Sequence, residues 1–143
     1  MRILIDADAC PDLSLIAQLA IRYQVVAIAF FDTAHQIKIE GMIAHQVDCS
    51  SQSVDVALWT EMQKGDLVIT SDYGLAAMCL TKGLVLHPNG FIYTREEIDR
   101  LLYSRYLASK FRRAGGRLKG PAPRTKFQTR QLLEKLEELL KNQ

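Results

Sequence analysis

Two acids standing one residue apart at the end of an apolar run can act together on a cation or a phosphate, and the chain has such a pair near its start. Asp6-Ala7-Asp8 follows Ile3-Leu4-Ile5, Asp72 follows Leu67-Val68-Ile69-Thr70, and Asp55 lies between the two runs. Carboxylates gathered within a few ångströms repel and raise one another's pKa values. A divalent cation removes that penalty, and oxygen-only donors suit Mg²⁺ or Mn²⁺ better than zinc. Such ions activate water and stabilise the charge of a phosphodiester transition state. Asp6, Asp8, Asp55 and Asp72 are therefore the candidate catalytic residues, with Asp6, Asp8 and Asp72 the candidate metal ligands. The competing reading is structural, because an Asp after a strand is often a helix cap or a turn former. It suits Asp72 and Asp55 well. It suits Asp6 and Asp8 less well, since one cap needs one carboxylate.

The other reactive residue types carry less. Cys10 precedes Pro11 at an expected helix start, where a thiol pKa can be lowered, but no histidine is placed by sequence to act as its base. His35, His45 and His87 are scattered, and Cys10, Cys49 and Cys79 form no C-x-x-C pair. Neither a zinc site nor a disulfide framework is signalled.

Elements that would position the acids follow from periodicity. Residues 2–5, 24–31, 67–70 and 84–86 are apolar, largely β-branched runs that read as buried strands. Leu13, Ile16, Ala17, Ala20 and Ile21 recur at helical spacing. So do Val54, Ala57, Leu58, Glu61 and Met62, in a helix predicted over 53–64 and stopped by Gly65. Ser71 or Asp72 caps a further helix that runs to Gly83. Thr94 and Glu97 read as a capping box before a helix with Ile98, Leu101, Leu102 and Arg105 on one face. A last helix starts near Thr125 with the stripe Leu132, Leu136, Leu139 and Leu140. The stretch 32–47 is ambiguous; Gln36-Ile37-Lys38-Ile39 alternates as a short strand would. Strands alternating with helices imply an α/β fold with a mostly parallel sheet of about four or five strands. The continuous apolar run Ile3-Leu4-Ile5 belongs at its centre. In such sheets sites lie beyond the carboxyl ends of the strands, where Asp6 and Asp72 would converge.

Length and composition agree with one soluble domain. The chain has 143 residues, 48% hydrophobic and 24% charged, which is ordinary for a globular domain. Val25–Phe31 and the other apolar runs are too short to span a bilayer, and Asp6 interrupts any signal-peptide core. A cytoplasmic protein with no membrane partner is expected. The net charge of +2 hides an asymmetry: residues 1–99 carry 13 acids and 6 bases, whereas residues 100–133 carry 10 bases and no acid. A basic segment joined to an acidic body suggests a polyanionic partner such as RNA. Arg112, Arg113, Arg117, Lys119 and Arg124, around a Gly/Pro-rich loop, are the candidate nucleic-acid contacts. The alternative is that these bases offset the body's acids within the fold.

Ile5-Asp6-Ala7-Asp8-Ala9-Cys10-Pro11 is similar to the opening signature of the YaiI/YqxD family. Residues 65–72, followed by Leu75-Ala76, resemble its second motif, and Pro88-Asn89-Gly90 with Tyr93-Thr94 its third. Arg105 and Gly120-Pro121 fit its distal pattern. The family is assigned to the PIN-like superfamily, many of whose members are metal-dependent ribonucleases. The resemblance therefore implies a single PIN-like, Rossmann-like domain over residues 1–143, with a basic loop and C-terminal helix at about 112–143. It places Asp6, Asp8 and Asp72 in an acidic pocket and implies a metal-dependent nuclease acting on RNA. Two positions depart from the family: Gln52, where an Asp is usual, and Val56, where an Asn is usual. They favour a second reading, an RNA-binding protein without catalysis. A third reading is an aspartyl-phosphate phosphatase with Asp6 as nucleophile and Asp8 as acid/base. That chemistry also needs a downstream lysine and a late acidic pair, and no convincing Asp-Asp is present.

Overall fold

Ile3, Leu4 and Ile5 are completely buried, as a strand covered on both faces must be. They form β1 (Ile3–Asp6) in a computed structural model that describes residues 1–32, 38–48, 53–116 and 123–143. The other strands are β2 (Ala27–Asp32), β3 (Ile43–Val47), β4 (Leu67–Ile69) and β5 (Leu84–Leu86). All pair in parallel in the order β3-β2-β1-β4-β5, so β1 is central. The helices are α1 (Leu13–Arg22), α2 (Val54–Glu61), α3 (Tyr73–Cys79), α4 (Arg95–Arg113) and α5 (Lys126–Lys141). The α/β architecture expected from the sequence is the one observed. No described helix is long and apolar enough to cross a membrane.

The two-residue period of the strands divides the core. Ile3 and Ile5 pack with Ala27, Ala29, Leu67 and Ile69 against Ile16 of α1 and Leu132, Leu136 and Leu140 of α5. Leu4 packs with Ile28, Phe30, Val68 and Val85 against Leu58 of α2, Leu75 of α3 and Ile98 of α4. Because every strand runs the same way, all carboxyl ends reach one edge of the sheet.

Several elements depart from the sequence reading. β3 lies at 43–47, later than the alternating stretch at 36–39. Of that stretch, residues 38 and 39 are outside any strand and the rest lies outside the described residues. β3 is an edge strand whose first four residues are exposed, so it lacks the apolar run that marks the other strands. α2 and α3 end at Glu61 and Cys79, several residues before Gly65 and Gly83. Gly83 has a different duty: a Cβ there would lie 2.2 Å from the Asp66 carbonyl oxygen. Thr94 does cap α4 by accepting from the Glu97 amide, but the Glu97 carboxylate pairs with Arg100. A complete capping box occurs instead at Thr125 and Gln128, at the start of α5.

A polar latch seats α5. The Arg124 guanidinium donates to the Asp12 carboxylate, to Asn89 Oδ1 at 2.9 Å and to the Pro88 carbonyl at 2.7 Å. Thr129 Oγ1 also donates to Asp12, at 3.3 Å. Gly90 allows the close approach, because a Cβ there would sit 2.6 Å from the Gln131 backbone and its φ is +94°. Arg124→Ala should lower the free energy of unfolding by about 2 kcal/mol, by leaving part-buried acceptors unpaired. Arg124→Lys should recover little, since one ammonium cannot serve three diverging acceptors as a fork does. Urea denaturation of both variants checks this; a wild-type midpoint for Arg124→Ala would show that the latch is incidental.

Candidate functional site

Asp6 is the last residue of β1 and is only 7% exposed. It pairs in register with Phe30 of β2. On the other side β4 ends at Ile69, and Thr70 follows, fully buried, with its amide donating to the Leu86 carbonyl. The Thr70 hydroxyl donates to Asp6 Oδ2 at 3.0 Å, and its oxygen accepts from the Asp72 amide at 3.0 Å. Thr70 thus ties the ends of β1 and β4 together and sets the start of α3.

Asp72 is the N-cap of α3, as the structural reading of the sequence allowed. Its Oδ1 accepts from the amides of Gly74 at 2.8 Å and Leu75 at 3.2 Å. Capping does not remove it from the acidic group, because its charge acts on Asp55, in the first turn of α2. Asp8 lies in the 3₁₀ turn Ala7–Ala9, exposed to solvent between the buried Ala7 and Cys10. The four candidate acids therefore gather at the carboxyl edge of β1 and β4.

The electrostatics record this gathering. Burial pushes the Asp6 carboxyl up to about 6. The Thr70 hydrogen bond opposes the shift, and the charges of Asp55, Asp8 and Asp72 reinforce it. Asp55 is also raised, first by burial and then by the charge and hydrogen bond of Asp72. Among the described residues, the groups that act most strongly on Asp6 are a threonine and three acids. The donor set is oxygen-only and mutually repulsive, which fits a hard divalent ion. Among the described residues, no set of three or more His, Cys, Asp or Glu side chains is already arranged to hold a metal.

The remaining candidates separate clearly. Arg112 and Arg113 are exposed at the end of α4. Arg124 serves the α5 latch, so its donors are engaged inside the fold rather than offered to a phosphate. Arg117 and Lys119 lie outside the described residues. Cys10 is buried and its thiol is pushed up to about 11 by burial, the opposite of an activated nucleophile. His87 is pushed down to about 4 by burial and stacks on Phe91 at 4.3 Å; His45 stacks on Phe30 at 4.6 Å. Lys82 sits 3.7 Å over the Trp59 ring and donates to the Trp59 and Met62 carbonyls, so it serves the end of α2. Two residues went unread as site residues. Thr70 has no local sequence signal for its bridge, whose partners are 64 positions apart. Arg105 places its guanidinium 5.8 Å from the centre of the Tyr73 ring, next to Asp72.

The family model described as "Uncharacterized BCR, YaiI/YqxD family" matches residues 4–142. The chain belongs to the YaiI/YqxD family. A UPF0178 protein of Clostridium kluyveri is 41% identical over 143 residues, covering 99% of this chain and 94% of the relative. One from Ruminiclostridium cellulolyticum is 48% identical over 118 residues, covering 82% and 77%. One from Exiguobacterium sibiricum is 43% identical over 127 residues, covering 88% and 87%. No solved structure gives a significant match. The matched span takes in all three sequence motifs: the first carries Asp6 and Asp8, the second Thr70 and Asp72, and the third the Pro88–Gly90 turn that receives α5.

The raised carboxyl makes stability depend on pH. Asp6 titrates near 6 when folded and near 3.9 when unfolded, so the native state binds the extra proton between those values. Stability therefore falls as pH rises from about 4 to about 6 and stays lower above that. Asp6→Asn removes the effect and keeps an acceptor for Thr70. Its stability relative to wild type should rise across that window, by at most about 3 kcal/mol. Urea denaturation in EDTA at pH 4 and pH 7.5 measures this; a difference that does not change with pH would refute it.

Proposed function

We propose that the chain is a divalent-metal-dependent phosphodiesterase of the PIN-like type, acting on RNA at the aspartate edge of its sheet. The observation that supports this is the convergence of Asp6, Asp8, Asp55 and Asp72 at the carboxyl ends of β1 and β4, where three of these acids act as like charges on the buried Asp6. A structural role would be expected to pair such an acid. In this reading Mg²⁺ or Mn²⁺, when bound, supplies positive charge for the phosphodiester transition state. Asp6 is held rigidly by Thr70, and Asp72 by its capping bonds. Asp8, in the 3₁₀ turn, and Asp55, in the first turn of α2, would complete the donor set. Arg105 and Arg112, seven residues apart on the α4 face that carries Ile98, extend a cationic track from Tyr73. A cytoplasmic location belongs to this reading and agrees with the buried free thiols of Cys10 and Cys79.

A second reading, RNA binding without cleavage, is favoured by the absence of a ready three-acid cage among the described residues and by Val56 at the start of α2. The phosphatase reading has less support, because Lys82 is engaged at the end of α2.

Three measurements separate them. Titration calorimetry should show Mn²⁺ binding to wild type and none to Asp6→Asn. Thr70→Val keeps the volume and removes the hydroxyl that fixes Asp6, and should weaken Mn²⁺ binding about 10–100-fold. Mn²⁺-dependent cleavage of a labelled single-stranded RNA, with no turnover of p-nitrophenyl phosphate, supports the nuclease reading. Equal Mn²⁺ heats for wild type and Asp6→Asn would remove the metal site altogether. For the cationic track, Arg105→Glu with Arg112→Glu should weaken RNA binding and flatten its salt dependence by about 0.7 in log–log slope per lost contact. An unchanged slope would place the RNA elsewhere.

A further inference from the structure

α4 carries on its outward face a pattern that neither the core nor the aspartate edge uses. From Glu96, steps of three and four residues in alternation reach Asp99, Tyr103, Tyr106, Lys110 and Arg113. This is the spacing along which two helices pack side by side. All six residues are exposed, Tyr103 by 62% and Tyr106 by 55%. They form a band about 60–160° round the helix from Ile98, the one buried residue of α4. Leu102 and Leu107 flank the tyrosines at 48% and 45% exposure. The stripe therefore has an apolar middle, an acidic end and a basic end.

Traced in reverse, the same stripe is its own complement. About a two-fold axis at the level of residues 104 and 105, an antiparallel second copy places its Arg113 opposite Glu96 and its Lys110 opposite Asp99. Its Tyr106 then lies opposite Tyr103. We propose that α4 is a homodimerisation face, on which two copies of this chain pair antiparallel in that register. The contact is isologous, as two-fold dimers require. It is independent of the nuclease reading.

Neither the helix dipole nor base stacking accounts for the whole pattern. Acids at the start of a helix and bases at its end suit the dipole. The dipole does not select the outward stripe, nor does it place two exposed tyrosines and two leucines between the charges. Exposed tyrosines can stack bases of a single-stranded nucleic acid, but Glu96 and Asp99 would repel the phosphates along half of the same stripe. The stripe is about 26 Å long, short for a standard interface, so association should depend on concentration.

Charge exchange across the axis tests the register. Asp99 and Lys110 of one chain are three helical turns apart and do not touch, so compensation between them requires a second molecule. Wild type should sediment as a concentration-dependent dimer in analytical ultracentrifugation. Asp99→Lys alone and Lys110→Asp alone should each raise the dissociation constant at least about tenfold through like-charge contacts. The double variant should restore it, and an equimolar mixture of the two single variants should form a heterodimer. Because both positions are exposed, melting at high dilution should match wild type. Should one single variant melt early, the mixture and the double variant still decide the matter. The proposal is overturned by a wild type that stays monomeric up to about 1 mM, by single variants that dimerise normally, or by a double variant that does not recover. It is also overturned if monomer binds a single-stranded oligonucleotide and Tyr103→Ala with Tyr106→Ala abolishes that binding.

Discussion

β1 has water on neither face, and much of the molecule follows from that. Ile3 and Ile5 need α1 and α5 above them, and Leu4 needs α2, α3 and α4 below. Burying those three side chains contributes roughly 5–9 kcal/mol, which fixes the strand against any tendency of its last residue to escape to solvent. That residue is Asp6. With helices on both faces and every strand parallel, the chain can leave β1 only at the carboxyl edge, and Asp6 leaves last, at 7% exposure. An ionised carboxyl in that position is expensive. It is tolerated because Thr70 donates to it from the neighbouring strand and because the rest of the strand is held so firmly.

The opposite edge of the same two strands shows how this fold treats a buried acid that has only a structural duty. Asp66 precedes β4 and is 4% exposed. Burial alone would raise it, but the Arg2 fork and the amides of Gln63 and Arg2 hold its carboxyl below the usual range. Arg2 Nη2 lies 2.7 Å from Asp66, and Arg2 Nη1 lies 2.9 Å from Glu61. At the amino edge, then, charge is matched within the chain. At the carboxyl edge a buried acid is surrounded by further acids. Packing alone gives no reason for the second arrangement, since Asn at position 6 would accept the same Thr70 hydrogen bond. The difference between the two edges gives the aspartate group more weight than its composition does.

What the sequence made legible follows the strength of local signals. β1, β2, β4 and β5 are buried runs, so apolar continuity locates them; β3 buries only Val47 and had nothing comparable to show. Asp6, Asp8 and Asp72 could be placed at one edge because strand ends and parallel pairing follow from pattern alone. Thr70 could not, because its partner is 64 residues away. Arg124 looked like a phosphate ligand because charge is visible in sequence and pairing across 112 residues is not. The outward stripe of α4 was obscured for a different reason. Its acids were counted with the body and its bases with the basic segment, whereas their meaning depends on which face of the helix each one occupies.

That last point bears on how the charge asymmetry should be understood. A segment with 10 bases and no acid beside an acidic body invites a choice between internal neutralisation and a polyanionic partner. The structure divides the described part of the segment. Arg124 neutralises Asp12 and draws α5 onto α1, and Asp12 begins the helix that follows the 3₁₀ turn bearing Asp8. A base more than a hundred residues away thus steadies the acidic edge without touching it. Lys110 and Arg113 stand on the outward face of α4, whereas Arg105 lies over Tyr73 of α3 and Arg112 follows two turns further along the Arg105 face. Helical geometry alone separates these pairs, because positions three residues apart share a face and positions one apart do not. A single basic segment can therefore serve a latch, a helix-pairing surface and a track beside the acids, and no one partner has to account for all of its charge.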